Sequence, residues 1–451
     1  MTDTIVALAT PDSQSALGVI RISGKKALEI SEKACGNPSP TPRYVHLTKY
    51  KSAQNETLDQ IIMVYYEKGK SFTSENCLEL TCHGNPVLIK EILNDLLKRG
   101  CRLANPGEFT YRAFTNGKID LTQAEAIADL IGAKSKQALM LANKNLDGNL
   151  TNKIRQIQSQ ILVQQSNIEA FIDFPEDDLG DEKNRQVITS LRDISSELTG
   201  LIEFGKKINV FNRDLKVVLI GPPNVGKSSI FNRIIGMDRS IVNHEAGTTR
   251  DFIDYKINLG MVTVRLYDTA GIRKAEQQIE EEGIKKTHLL IQDADLVLII
   301  LDRSLPYPSG VDLEIALDIK NKKSIVVLNK SDLPKNIDMS ESNFRHLTTT
   351  VVSTNEKESI SSITGLIQNL LLVEYKTENE FNLSVNLRQS SALLKAQNAI
   401  QKSLETLEVG NANEFSVPDL KEAISCLNSI VDTKDNEDML DLLFSSFCIG
   451  K

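Results

Sequence analysis

Apolar and polar positions follow three successive patterns along the chain, and each pattern predicts different elements. Up to about residue 118, short runs rich in β-branched residues predict strands, and one longer run with helical spacing predicts a helix. The strands are expected at residues 5–9, 18–22, 61–66 and 77–81, and the helix at 86–99. Separate strands with few helices indicate an α+β domain.

The second pattern is helical, and the third alternates strands with helices. Between about residues 122 and 207, apolar side chains recur at spacings of three and four, which is typical of amphipathic helices. Residues 213–372 then contain apolar runs such as LKVVLIG and KSIVVLN, each followed by a helical stretch. This alternation predicts a parallel, doubly wound sheet. After about residue 374 the helical pattern returns and continues to the end.

The order of these patterns indicates a helical domain that is split in sequence, with an α/β domain inserted between its halves. The predicted fold is therefore multidomain: an N-terminal α+β domain, a discontinuous all-α domain and an inserted α/β P-loop domain. The predicted boundaries are 1–118 for the first domain, 119–212 and 374–451 for the two helical halves, and 213–373 for the insert.

Composition narrows the class of protein. The chain has 451 residues, 41% hydrophobic and 25% charged, which are ordinary globular values. Its net charge of −8 argues against a uniformly basic nucleic-acid groove. The six cysteines form no CxxC pair, and no secretory signal or apolar run of membrane-spanning length is present. We therefore expect a soluble, cytoplasmic protein with reduced thiols.

Residues 221–228 read GPPNVGKS and match the phosphate-loop pattern GxxxxGK[ST] between a predicted strand and a predicted helix. In such a loop, backbone N–H groups surround the phosphates, the lysine neutralises their charge and the serine hydroxyl binds Mg²⁺. The predicted nucleotide contacts here are Asn224, Val225, Gly226, Lys227, Ser228 and Ser229, with Ser228 as the Mg²⁺ ligand.

Three further motifs follow in the order expected for a GTPase. GTTRD at 247–251 supplies Thr249 as a second Mg²⁺ ligand, and DTAG ends a strand where its aspartate can hold a magnesium-bound water. NKSD ends another strand, and its Asp332 can accept both donors of the guanine edge. The predicted contacts from these motifs and from a later loop are Asp268, Thr269, Ala270, Gly271, Asn329, Lys330, Asp332, Ser353 and Thr354.

The residue after DTAG is Ile272, which cannot orient the attacking water as a glutamine does in Ras-like GTPases. Asn224 in the phosphate loop resembles the asparagine of potassium-activated GTPases. That resemblance implies a K⁺ ion held by Asn224 and by the segment of Asn243, Glu245 and Thr248. The alternative is that Asn224 only shapes the turn.

The flanking segments resemble the MnmE (TrmE) family of bacterial tRNA modification GTPases. The resemblance rests on PGEFTYRAFTNGKIDLTQAEA near residue 118, on GTTRD and DTAGIR, and on the C-terminal FCIGK. It implies a homodimer that works with the FAD-dependent partner MnmG. Together they add an aminomethyl or carboxymethylaminomethyl group to carbon 5 of the tRNA wobble uridine. Its one-carbon unit comes from methylene-tetrahydrofolate and its amine from glycine or ammonium, and tRNA is bound mainly through the partner.

The same resemblance assigns individual residues. Glu280 would orient the hydrolytic water, with Glu281 and Glu282 as alternatives in register, and Thr249 and Gly271 would complete the catalytic switch. Folate contacts would come from Arg21, Glu79, Lys118 and Lys451. Cys448 either takes part in the folate chemistry or plugs a gap between helices.

Two other functions fit parts of the sequence. A ribosome-assembly GTPase shares the phosphate-loop asparagine but usually carries a basic RNA-binding domain, which this acidic chain does not predict. A folate-dependent aminomethyl transferase acting on a small substrate would not need the inserted GTPase domain. Loop details also depart from the family, since Asn85 stands where a second glycine often follows HG.

Overall fold

The computed structural model describes residues 3–173, 180–208, 213–237, 253–260, 262–268, 288–307, 322–340, 342–372, 383–409, 413–432 and 437–450. The chain forms two compact units. The first consists of residues 1–128, 144–198 and 391–451, and the second of residues 129–143 and 199–390. Both units are therefore assembled from segments that are distant in sequence.

The first unit contains a six-stranded sheet in the order β3-β4-β5-β2-β1-β6. Its pairs are antiparallel except β1 with β6. Helices α1 and α2 pack on one face, where Ile20, Ile22, Leu78 and Leu80 are fully buried. The elements are β1 (Ile5–Leu8), β2 (Leu17–Ser23), α1 (Ala27–Cys35), β3 (Val45–Lys51), β4 (Thr57–Tyr66), β5 (Cys77–His83), α2 (Pro86–Lys98) and β6 (Arg102–Leu103).

The predicted strands and the predicted helix of this region are confirmed, but α1, β3, β6 and the later helix at Glu108–Thr115 were not predicted. Strand β3 reads VHLTKYK, in which only Tyr50 is buried, so its hydrophobic signal is weak. Asn85, where the family often has glycine, caps α2. Its side-chain oxygen accepts bonds from the backbone N–H groups of Val87 (2.9 Å) and Leu88 (3.4 Å).

The predicted helical regions on both sides of the insert are also confirmed. Helix α6 (Asn149–Asp173) packs along α11 (Asn413–Val431), and Ile154, Ile157 and Ile161 are fully buried at helical spacing. The helices are α3 (Glu108–Thr115), α4 (Leu121–Gly132), α5 (Lys136–Leu146), α6 (Asn149–Asp173), α7 (Gly180–Ile208), α10 (Leu387–Glu408), α11 (Asn413–Val431) and α12 (Glu437–Ser445).

The second unit contains the predicted doubly wound sheet, in the order β12-β11-β10-β7-β9-β8. All its pairs are parallel except β8 with β9, and separate apolar clusters cover its two faces. Its elements are β7 (Leu215–Ile220), α8 (Lys227–Met237), β8 (Ile253–Leu259), β9 (Val262–Asp268), β10 (Leu296–Asp302), β11 (Ser324–Asn329), β12 (Thr348–Val351) and α9 (Lys357–Leu372). The carboxyl ends of the parallel strands share one edge, where such folds bind ligands.

Candidate functional site: a nucleotide pocket and a docked chain end

The phosphate loop connects β7 to α8, and its backbone conformation explains its residue types. Gly221, Asn224 and Gly226 have φ values of 143°, 63° and 97°, a region that favours glycine and tolerates asparagine. A Cβ on Gly221 would lie 2.1 Å from the carbonyl oxygen of Ile300 on β10. Glycine is therefore required where the loop crosses the neighbouring strand.

Lys227 and Ser228 begin α8 and lie where the sequence predicts phosphate and Mg²⁺ contacts. The buried Lys227 donates bonds from Nζ to the carbonyl oxygens of Gly221 (2.9 Å) and Pro222 (2.7 Å). Ser228 Oγ donates to Asp268 Oδ2 at 2.8 Å. Strand β9 thus brings a carboxylate from a separate motif to the serine, and a hydroxyl beside a carboxylate is an oxygen pair that suits Mg²⁺. Ser229 is exposed in the first turn of α8.

The guanine-reading motif lies beside the phosphate loop. Asn329 Nδ2 donates to the carbonyl oxygen of Val225 at 2.8 Å, which ties the end of β11 to the loop. Ser353 Oγ donates to Asp332 Oδ1 at 2.8 Å, and Asn355 Nδ2 lies 3.4 Å from the other oxygen. The carboxylate of Asp332 is therefore oriented by the loop after β12, in which Thr354 also lies.

Two features of this pocket fit a bound nucleotide. Asn329 is 1% exposed, yet its Oδ1 has no hydrogen-bond partner among the described residues, so a buried acceptor remains unsatisfied beside the phosphate loop. A Cβ on Gly226 would lie 2.2 Å from Asn329 Nδ2, so only glycine allows the loop this close to the motif. Glycine at position 226 thus lets the phosphate loop, whose N–H groups bind phosphates in such folds, lie directly against the NKSD motif.

Sequence reasoning missed two residues at this edge, Asp302 and Asn355. Asp302 ends β10, and its Oδ2 lies 2.5 Å from Lys330 Nζ. The sequence does contain a signal for Asp302, because a polar residue that ends a buried parallel strand lies at the edge of the sheet where ligands bind. Several predicted site residues lie outside the described residues: Asn243, Glu245, Thr248, Thr249, Thr269, Ala270, Gly271, Glu280 and Lys451.

In the first unit, Arg21 and Glu79 form an ion pair. They lie directly opposite each other on β2 and β5, and Arg21 Nε donates to Glu79 Oε1 at 2.8 Å. Tyr66 Oη donates to the second carboxylate oxygen at 3.3 Å. Both side chains remain partly exposed, so the pair is accessible to a ligand.

The C-terminal segment of residues 444–450 docks beside these strands. A Cβ on Gly450 would lie 2.5 Å from the carbonyl oxygen of Leu8, at the end of β1. Ala7 on β1 is paired with Arg21, so the chain end lies one strand from the ion pair. The segment that contains Cys448, although distant in sequence, thus lies beside β1, the strand next to the predicted folate contact Arg21 on β2.

The PGEFT segment holds the other side of this chain end. The backbone N–H of Gly107 donates to the carbonyl oxygen of Cys448 at 3.4 Å. Phe444 packs edge-on against Tyr111 with ring centroids 5.3 Å apart, and also lies 5.2 Å from Phe447. Phe447 is 7% exposed whereas Cys448 is exposed, so the phenylalanine, and not the cysteine, fills the gap between helices.

Lys118, the remaining predicted folate contact, lines an open pocket of about 340 Å³ together with Phe114, Arg155 and Asp432. Among the described residues, no hydrogen bond or ion pair joins Lys118 to Arg21 or Glu79. The structure therefore brings Arg21, Glu79 and the chain end together, but leaves Lys118 unconnected to them.

The fold and the nucleotide pocket define a GTPase, with its P-loop domain inserted into a helical domain that follows an N-terminal α+β domain. Two family models match, the GTP-binding protein TrmE N-terminus over residues 4–118 and the MnmE helical domain over residues 121–448. The chain belongs to the MnmE family of tRNA modification GTPases.

Relatives extend over the whole chain. Proteins called tRNA modification GTPase MnmE from Opitutus terrae and Sulfurovum sp. are 38% and 37% identical, over 100% of this chain and 99% of theirs. The relative from Aquifex aeolicus is 37% identical over 100% of both chains. Among solved structures, the G domain of the T. maritima FeoB iron transporter is 26% identical, over 37% of this chain and all of that one, with a TM-score of 0.25. Among the described helices, none has the length and apolarity that a membrane crossing requires.

Proposed function

We propose that this chain is the GTPase component of the machinery that modifies carbon 5 of the tRNA wobble uridine. The observation that carries the proposal is the whole-length similarity to tRNA modification GTPases of the MnmE family. With an FAD-dependent MnmG-type partner, the chain would add an aminomethyl or carboxymethylaminomethyl group, whose one-carbon unit comes from methylene-tetrahydrofolate and whose amine comes from ammonium or glycine. The predicted boundaries 1–118, 119–212, 213–373 and 374–451 are proposed as its domains, and the cytoplasm as its location.

In the proposed GTPase cycle, Lys227 moves from its loop carbonyls to the phosphates, and the loop N–H groups bind their oxygens. Ser228 and Thr249 would hold Mg²⁺, with Asp268 on one of its waters. Asp332, oriented by Ser353, would accept the two donors of the guanine edge. Glu280 would orient the attacking water, and the backbone N–H of Gly271 would detect the γ-phosphate.

Potassium is proposed as the activating ion because Asn224 occupies the phosphate-loop position of the asparagine in potassium-activated GTPases, whereas its φ of 63° is equally compatible with a role in shaping the turn. Asn224, Asn243, Glu245 and Thr248 would surround it between the phosphates. GTP hydrolysis should be faster in KCl than in NaCl at equal ionic strength, and Asn224→Ala should remove the difference. Equal rates in both salts would show that Asn224 only shapes the turn.

Folate is proposed to bind at the Arg21–Glu79 pair, beside the docked chain end. A carboxylate can accept the donor pair of a pteridine ring, and a guanidinium suits the carboxylates of the glutamate tail. Lys118 and Lys451 would add positive charge, and Cys448 is the nucleophile available to this chemistry. Calorimetry with 5-formyl-tetrahydrofolate should show binding that Arg21→Ala and Glu79→Gln each weaken.

The surface pair Lys33–Glu29 of α1 provides a matched control for that experiment, since it is also an ion pair of this unit but lies on an exposed helix. Lys33→Ala should leave folate affinity unchanged. If all these variants bind folate as tightly as the wild type, the ligand lies elsewhere.

A homodimer is proposed through the sheet face that carries Arg21 and Glu79. Val45, Val64, Glu79 and Arg21 lie opposite one another across four strands and therefore share that face. On the same face, Leu47 of the edge strand β3 and Ile62 of β4 are directly paired, with exposures of 70% and 40%. Adjacent exposed apolar side chains indicate an interaction surface.

Sedimentation should therefore show a dimer that Leu47→Lys dissociates. Val87→Lys is the matched control, because Val87 is similarly exposed (71%) but belongs to α2, which packs on the other face. A monomeric wild type, or equal effects of the two changes, would contradict this interface.

The overall proposal is tested by mass spectrometry of tRNA nucleosides from a strain lacking the gene. Loss of the wobble carbon-5 substituent should be rescued by the wild type but not by Asp268→Ala. Unchanged nucleosides together with a ribosome-subunit defect would favour an assembly GTPase instead.

A further inference from the structure

An ion pair links the ends of two neighbouring strands at the guanine side of the pocket. Lys330 Nζ lies 2.5 Å from Asp302 Oδ2, and the backbone of Lys330 is in the left-handed region with φ 62°. The other carboxylate oxygen of Asp302 accepts bonds from Ser304 N (2.9 Å) and Ser304 Oγ (2.6 Å). Every oxygen of this carboxylate is thus engaged.

The sheet fixes the position of Asp302 relative to the motif. Asp302 is paired with Asn329 in the parallel register of β10 and β11, and the backbone N–H of Arg303 donates to the carbonyl oxygen of Asn329 at 2.9 Å. The carboxylate therefore lies beside the residue that precedes Lys330. Its location is determined by strand pairing, and not by a flexible loop.

Because Asp302 is buried, breaking this ion pair is energetically unfavourable. Asp302 is 5% exposed. Burial opposes its ionisation, but the bonds from Lys330 and Ser304 outweigh that effect and lower the pKa of Asp302. A buried carboxylate without its cation is strongly unfavourable, so the pair should persist when a nucleotide binds.

We propose that Asp302 is a positioning residue for guanine-nucleotide binding, which acts by fixing the ammonium group of Lys330. Because Asp302 fixes the ammonium group of Lys330, the alkyl part of that side chain already has one conformation, in the motif that also contains Asn329 and Asp332, before the nucleotide binds. Without Asp302, the side chain would have to be ordered during binding, which costs affinity. The inference rests on the proposed GTPase function and on the predicted contact of Lys330 with the nucleotide.

The test measures dissociation constants of the full-length protein for a fluorescent GDP and a non-hydrolysable fluorescent GTP analogue. Asp302→Asn should weaken both by about tenfold, the scale expected for ordering one long side chain. At saturating GTP the hydrolysis rate should be unchanged, so the defect appears in KM and not in kcat. Asp302→Glu keeps the charge but displaces the ammonium group of Lys330, so it should also weaken binding. This variant replaces Asp302→Asn in the experiment if the asparagine variant does not fold.

Asp338→Asn is the control for a change of the same type at an exposed aspartate of the same unit. Asp338 Oδ1 also accepts a bond from the N–H two residues later, at 2.9 Å from Ser340 N, but among the described residues it has no lysine ion pair. This variant should bind nucleotides as the wild type does.

A double-mutant cycle separates positioning from a general structural effect. Lys330→Met should weaken binding, and Asp302→Asn should add nothing in that background. Additive effects, or unchanged or tighter binding by Asp302→Asn, would overturn the inference. If Lys330→Met leaves the affinity unchanged, the assignment of Lys330 to the nucleotide fails and the inference fails with it.

Discussion

At the scale of single residues, the environments of the cysteines separate structural thiols from an accessible one. Burial raises the pKa of Cys35 to about 12 and those of Cys82 and Cys101 to about 11, so these thiols stay protonated and shielded. Cys448 is exposed at the docked chain end. Its exposure favours a chemical role over a packing role.

Native labelling checks this distinction. A maleimide added to the folded protein should modify Cys448 first, because the thiolate must be reachable to react. Cys35, Cys82 and Cys101 should react only after denaturation. Peptide mass spectrometry would identify the modified positions, and early modification of the buried cysteines would contradict the assignment.

At the scale of elements, the contact between the start of α3 and the C-terminal segment brings together two motifs that are distant in sequence. Gly107, from PGEFT, has φ 67°, and a Cβ there would lie 2.6 Å from the carbonyl oxygen of Phe444. Gly450, from FCIGK, has φ 90° and touches β1 in the same way. Both glycines are needed because backbone meets backbone at these points.

Alanine at either glycine should therefore displace the chain end. Gly107→Ala and Gly450→Ala should alter the rate of Cys448 labelling and weaken folate binding, while GTP hydrolysis is retained. The measurements are maleimide kinetics and calorimetry.

Two other glycines provide controls with the same backbone strain but open space. Gly36 has φ 67° and Gly69 has φ 83°, and neither would place a Cβ within 4 Å of a neighbour. Gly36→Ala and Gly69→Ala should cost about 1 kcal/mol of stability each from left-handed strain and leave Cys448 unaffected. Equal effects in all four variants would mean that strain, and not docking, matters.

At the scale of the whole molecule, buried ion pairs connect segments of the first unit that are far apart in sequence. Arg112 is 1% exposed and donates to Glu75, Glu108 and Asp3. Burial would raise the pKa of Glu108, but bonds from Arg102, Asn105 and Arg112 lower it below its ordinary value of 4.5. The pKa of Asp95 is also lowered, because the hydrogen bonds from Arg99, Ala53 and Tyr50 outweigh the effect of its burial.

These lowered pKa values predict acid sensitivity. The unfolded chain binds protons at a higher pH than the folded chain, so the stabilisation is complete above the ordinary values of 4.5 and 3.8 and is lost as pH falls through the folded values. The urea midpoint should fall between about pH 5 and about pH 3. Asp95→Asn should show a shallower fall, and a midpoint independent of pH in this window would contradict the prediction.

Removal of one partner gives a second measure of the same network. Glu108→Ala would leave Arg112 buried without its closest carboxylate and should lower the free energy of unfolding by about 3 kcal/mol. Lys33→Ala, at a fully exposed pair, should leave the free energy of unfolding almost unchanged, because solvent screens that pair. Urea titration of both variants would compare them.

The sequence by itself determined the class of fold and the nucleotide pocket. Buried strands followed by helices predict a parallel sheet from local periodicity, and the order of GPPNVGKS, DTAG and NKSD places the site at its carboxyl edge. These features are readable because hydrophobic period and motif spacing act within short segments. Weakly apolar β3 and short α1 escaped prediction because tertiary packing, and not local pattern, stabilises them.

Only the tertiary structure decided which distant residues meet. Strand pairing sets Asp302 beside Asn329 and Arg21 opposite Glu79, and no sequence spacing reveals such register. The docking of Gly450 on β1 joins positions at opposite ends of the chain. Such contacts depend on chain topology and on close backbone approach, which a linear pattern of residues does not encode.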